Sequence, residues 1–90
     1  MEVYFAPSFL KVTKKLDPNI RENIKSVVAE IMDFYESGEK TRGLGIKHLR
    51  KTLWEARLNI RMRVVFNLSD NQLTFILAGS HNDVKNFLKR

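Results

Sequence analysis

Ninety residues are enough for one modest hydrophobic core, and the lack of cysteine excludes disulfides and thiolate metal sites. No apolar run approaches the roughly 18 residues of a membrane span. The opening MEVYFAPSF has neither the basic nor the long apolar region of a signal peptide, so a single domain over residues 1–90 in a reducing cytoplasm is expected. The net charge of +6 is concentrated in one place: Lys40 to Arg63 holds eight basic residues against one acid, while the other 66 residues carry eight basic and nine acidic groups. A basic segment on a near-neutral body points to a polyanion-binding face.

In chain order, Glu2 to Ala6 reads as a short strand with Val3 and Phe5 on one side and Tyr4 on the other. Pro7 opens a helix, where its missing donor is harmless, and Phe9, Leu10, Thr13 and Leu16 give that helix an apolar side. Asp17-Pro18 is an N-cap followed by a first-turn proline. The second helix places Ile20, Ile24, Val27, Val28, Ile31 and Tyr35 at helical spacing and ends at Ser37-Gly38. The tight break between them predicts an antiparallel helix pair. Glu39 to Gly45 is polar and glycine-bearing and is expected to be a mobile loop, after which Ile46 and Leu49 lead into a hairpin.

That hairpin, Leu53 to Asn67, is the most informative stretch. A two-residue loop would set Leu58 across from Arg61 and Ala56 across from Arg63, mixing core with charge. A three-residue loop, Asn59-Ile60-Arg61, pairs Leu58 with Met62, Ala56 with Val64 and Trp54 with Phe66, so one whole face is apolar and is expected to meet the helix pair. Asn59 suits the loop because asparagine tolerates unusual backbone angles. The same register sets Arg57 directly across from Arg63, and like charges there are destabilising. Either both side chains fan into water, or they converge on an anion such as phosphate, whose geometry guanidinium forks match.

Beyond the hairpin, Ser69-Asp70-Asn71 is a turn and Leu73 to Ala78 is apolar on both faces, as in a central strand covered on both sides. Gly79 to Asp83 closes the sheet. Ser80 with Asp83 resembles a capping box for a last helix whose apolar side is Val84, Phe87 and Leu88. The order strand, helix, helix, about three antiparallel strands and short helix predicts an α+β fold, helices layered on a small, mainly antiparallel sheet.

The order of elements, the phrase LWEAR followed by RVVF, the opening FAPSFLKVTKKLD and the ending AGSHNDVKNFLK resemble the RelE/ParE superfamily of toxins from type II toxin–antitoxin systems. The resemblance covers nearly the whole chain and is most specific in the paired sheet phrases and the Gly-x-His before the last helix. It implies a RelE-like fold, a cognate antitoxin partner in a hetero-oligomer, and one of two activities. RelE-like members cleave mRNA on translating ribosomes without a metal or other cofactor; ParE-like members inhibit DNA gyrase and lack the nuclease residues. A third possibility is an inactive RNA-binding relative.

Carried over residue by residue, the resemblance makes Arg63 the arginine at the scissile phosphate, Arg57 a basic residue on the preceding strand, and His81 an acid or phosphate ligand. It sets Phe87 near the substrate base, while Glu55 stands where some RelE toxins have lysine and Phe87 where they have tyrosine. Lys47, Arg50 and Arg61 are expected to add RNA-binding charge. Each residue has a plainer reading. His81 at a helix start reads also as a surface residue or cap neighbour, Phe87 as core, and His48 as merely solvated. Trp54 belongs to the core in this register. Glu55 shares the arginine face, as an ion-pair partner or as the base. Metal-free cleavage asks for cations on the phosphate, usually the dominant contribution to rate, and a group titrating near neutrality to move a proton.

Overall fold

The computed structural model describes residues 1–38 and 45–89. The chain runs β1 (Glu2–Phe5), α1 (Pro7–Lys14), α2 (Pro18–Ser37), β2 (Lys47–Arg50), β3 (Leu53–Arg57), β4 (Arg63–Ser69), β5 (Gln72–Gly79) and α3 (His81–Leu88). The expected loop from Glu39 lies outside the described residues up to Gly45. The sheet has five strands in the order β1-β5-β4-β3-β2, antiparallel from β2 to β5, with β1 added parallel to β5. The sequence reading expected about three antiparallel strands and missed β2. That strand is four residues long and mostly exposed, so its apolar pattern is too short to register.

Local chemistry sets the helix ends. Pro7 and Pro18 occupy first-turn positions, and the Asp17 carboxylate accepts from the Asn19 N–H at 2.8 Å. Gly38 ends α2 at φ 76°, the left-handed region glycine enters freely. The β4–β5 turn is shorter than expected: Ser69 pairs with Gln72, leaving Asp70 and Asn71 as a two-residue turn with φ 50° and 63°. Two consecutive positive φ values match the twist of the flanking strands, and Asn and Asp tolerate them.

The helix pair covers one face of the sheet. Ile24, Val27, Val28 and Ile31 of α2 and Phe9 of α1 are buried against Ala56, Val64, Phe66, Leu73, Phe75 and Ala78. Each fully buried large side chain contributes about 1.5–3 kcal/mol by leaving water. Phe75 is the hub, with its ring 5.4 Å from Phe5, 5.9 Å from Phe9 and 6.1 Å from Phe66. Trp54, Leu58 and Met62 pack against this cluster half-buried, so all six apolar hairpin positions face the helices as expected. Leu10 departs from the reading: it is 54% exposed, because α1 turns Phe9 inward and leaves Leu10 on the rim of a groove beside α2. Val65 and Val84 are buried outside the main cluster, where α3 lies over the second face of β4 and β5. The β5 strand is therefore covered on both faces, as its composition demanded.

Candidate functional site

The β3–β4 register is Leu53↔Asn67, Trp54↔Phe66, Glu55↔Val65, Ala56↔Val64 and Arg57↔Arg63. The loop has three residues: the Leu58 N–H donates to the Met62 carbonyl at 2.9 Å. Asn59 acts differently from the expectation, since neither it nor its loop neighbours have positive φ. Its side-chain oxygen instead accepts from the N–H groups of Arg61 and Met62 at 2.8 and 2.9 Å, tying the loop from inside.

Because side chains alternate, Leu53, Glu55, Arg57, Arg63 and Val65 share the face opposite the helix pair. On that face Arg57 lies directly opposite Arg63, and Arg63 is paired in turn with Gly79 of β5. On the other side, a Cβ placed on Gly45 would stand 3.4 Å from the Arg57 Cβ. Glycines thus neighbour the two arginines in the backbone, Gly45 beside Arg57 and Gly79 beside Arg63. On β2, Lys47 pairs with Glu55 and Arg50 with Leu53, so both cations project onto the same face and are exposed. Arg61 is exposed in the hairpin loop.

The two arginines are not equivalent. Arg57 is exposed, while the Arg63 side chain is only 17% exposed and its Nη1 lies 3.6 Å from Oε2 of Glu55, whose side chain is 7% exposed. That separation is an ion-pair contact beyond hydrogen-bond length. Among the described residues, neither the Glu55 Oε2 nor the buried Arg63 Nε has a hydrogen-bond partner. Of the two readings of Glu55, the geometry places it as the ion-pair partner of Arg63.

His81 is the first residue of α3, two positions beyond the glycine paired with Arg63, and it is exposed. The register therefore brings Arg57, Arg63 and His81 to one end of the sheet. The start of α3 offers an anion little. Asp83 accepts from the Ser80 N–H at 2.9 Å and Ser80 Oγ from the Asp83 N–H at 3.1 Å, so a carboxylate already sits at the positive end of α3. Gly79 is required by this capping box, since a Cβ there would approach Asp83 Oδ2 to 2.8 Å.

Two aromatic assignments change. His48 is not simply solvated: its ring lies 4.6 Å from that of Trp54, its cross-strand partner, and its Nε2 is 2.7 Å from the Lys51 carbonyl oxygen. Phe87 is half-buried and lines a groove of about 500 Å³ with Ser8, Val12, Ile76, Leu77 and Asn86. That groove lies between α1 and α3, so the structure does not group Phe87 with the arginines. Away from the basic face, α1 and α2 form an apolar groove of about 340 Å³ lined by Phe5, Phe9, Leu10, Ile24, Val28 and Met32, with Arg21 and Lys25 on its rim. Among the described residues, no cluster of His, Asp and Glu could hold a metal ion, and no helix is long and apolar enough to cross a membrane.

No family model and no curated protein matches the sequence. Solved structures do match the fold. A chain of the Escherichia coli DinJ-YafQ complex aligns with TM-score 0.74 at 15% identity, covering 92% of this chain and 96% of that one. A chain of the RelB-RelE antitoxin-toxin complex from Methanococcus jannaschii aligns with TM-score 0.69 at 19% identity, over 93% and 96%. The YoeB/ParE toxin from Agrobacterium tumefaciens aligns with TM-score 0.69 at 18% identity, over 90% and 99%. The chain has the fold of these structures, an α+β architecture of three helices on a five-stranded mixed sheet.

Proposed function

We propose that this protein is the toxin of a type II toxin–antitoxin system and that it cleaves mRNA on translating ribosomes. The observation that carries the reading is the Arg57–Arg63 pair, held directly opposite on one face with His81 at the adjacent strand end. A hairpin built for stability alone would not oppose two arginines. Arg57 and the outward donors of Arg63 meet the two negative oxygens of a phosphodiester passing through the cleavage geometry. Stabilising that developing charge contributes more to the rate of such a reaction than any other single effect. The adjacent 2′-hydroxyl attacks phosphorus and gives its proton to water as the P–O5′ bond breaks, and His81 protonates the leaving 5′-oxygen, a role that adds about 10² to 10⁴ in rate. Lys47, Arg50 and Arg61 hold the RNA backbone as solvated point charges. No step calls for a metal.

The antitoxin reading is supported by the fold neighbours solved in complexes and by the groove between α1 and α2. An amphipathic segment with an apolar stripe fills that groove, and acidic flanks meet Arg21 and Lys25 on its rim. The neighbouring chains include one described as YoeB/ParE, so gyrase inhibition is the reading to test against.

Induction in cells, followed by primer extension on a translated mRNA and a parallel gyrase supercoiling assay, separates them. New 5′ ends within the reading frame, dependent on its translation and absent for His81→Ala, support the proposal. Intact mRNA with inhibited supercoiling replaces it with the gyrase reading.

A further inference from the structure

Glu55 is the one acid in the basic segment, and it is buried at 5% exposure on the face where Lys47, Arg57 and Arg63 converge. Burying a carboxylate is costly, and a well-packed apolar residue at such a position is often as stable or more so. Its neighbour Val65 on the same face is fully buried, so the surroundings would accept one. Glu55 sits directly across from Lys47 and diagonally from Arg63, whose Nη1 is 3.6 Å from its Oε2. Arg63 has no other carboxylate partner among the described residues, and its Nε is enclosed.

We infer that Glu55 is a positioning residue for Arg63, the buried carboxylate whose charge holds the guanidinium inward so that its remaining donors point to a phosphate shared with Arg57. The inference deepens the proposed function and rests on it for its kinetic consequence, though not for the geometry itself. Two opposed arginines repel, and without a counter-charge Arg63 turns toward water, away from Arg57. Glu55 draws Arg63 inward against the sheet while exposed Arg57 stays free to follow the substrate. The pair therefore has one fixed and one adaptable cation. The long ion-pair contact leaves Arg63 attracted, without the short hydrogen bonds that would consume its donors.

The test uses Glu55→Gln and Glu55→Asp in the full chain, read in two ways. In the first, nitrogen-15 NMR follows the Arg63 Nε–H. The wild type is expected to show hindered guanidinium rotation and slow hydrogen exchange, both lost in Glu55→Gln and largely kept in Glu55→Asp. In the second, binding and single-turnover cleavage are measured separately on ribosome-bound mRNA. Removing an acid from a cationic face should leave RNA binding equal or tighter. Misplacing Arg63 should nevertheless slow cleavage by on the order of 10², the effect of an ångström-scale misalignment. A residue that only offsets charge would, when neutralised, raise both binding and cleavage, and that result overturns the inference. Lost cleavage with unchanged Arg63 NMR also overturns it, since Glu55 would then be acting on the substrate itself. If the wild type cleaves nothing, the proposed function fails, and the NMR arm alone decides the positioning. Should Glu55→Gln fail to fold, Glu55→Met serves in its place, with the same expected release of Arg63.

Discussion

The asymmetry between the two arginines gives a sharp expectation for stability. In Arg63→Ala, the buried Glu55, only 5% exposed, loses its ion-pair partner. Breaking a buried pair by removing one member costs about 3–5 kcal/mol, and the 3.6 Å contact argues for the lower end, about 3 kcal/mol. For a domain of this size each kcal/mol moves Tm by roughly 4–8 °C, so a fall of roughly 12–24 °C is expected. Arg57→Ala removes an exposed side chain from opposite a like charge, and Tm should hold or rise. Pairing Glu55→Leu with Arg63→Met should recover most of the loss, because the buried charge leaves together with its partner. Circular-dichroism melts at low and high salt read all of this. Salt should mute the Arg57 effect and barely touch that of Arg63. Two arginine variants that shift Tm in the same direction by similar amounts would refute the reasoning.

Other expectations follow from single contacts. Asn59→Ala removes the acceptor of two loop N–H groups and should cost about 1–2 kcal/mol; Asn59→Asp should retain most of that, whereas Asn59→Gly should not, because the loop needs no positive φ. Gly79→Ala pushes a methyl to 2.8 Å from Asp83 Oδ2 and should break the capping box, read as faster amide exchange in the first turn of α3 at a cost of at least about 1 kcal/mol. Lys47→Ala and Arg50→Ala should weaken RNA or ribosome binding by an amount that shrinks as salt rises, measured as a shallower slope of log K against log salt.

The hairpin was legible in the sequence because a single register makes one entire face apolar, and a slip of one residue would bury arginine. That register alone opposed Arg57 to Arg63. The helix starts at Pro7 and Pro18 and the Ser80–Asp83 cap were equally legible, since each is written in adjacent residues. What escaped depended on contacts between elements. The four residues of β2 carry too little pattern to be read, and without β2 the ring contact of His48 with Trp54 has no basis. That Glu55 pairs with an arginine was one of two readings the alternation left open, and the diagonal contact with Arg63 across two strands decides between them. The rotation of α3 decides that Phe87 faces Ser8 and Val12 of α1, and helical spacing alone leaves that rotation open.

Single-turnover cleavage of a translated mRNA by purified protein on isolated ribosomes tests the central claim most directly. Wild type is compared with Arg57→Gln, which leaves the buried pair intact, and with His81→Gln and His81→Ala. Ribosome-dependent cleavage by the wild type is expected, slowed by on the order of 10² in Arg57→Gln and equally impaired in both His81 variants, since glutamine keeps a hydrogen bond but cannot titrate. Near-wild-type rates in Arg57→Gln and His81→Gln would contradict the claim, because neither the arginine pair nor proton donation by His81 would then be part of the chemistry.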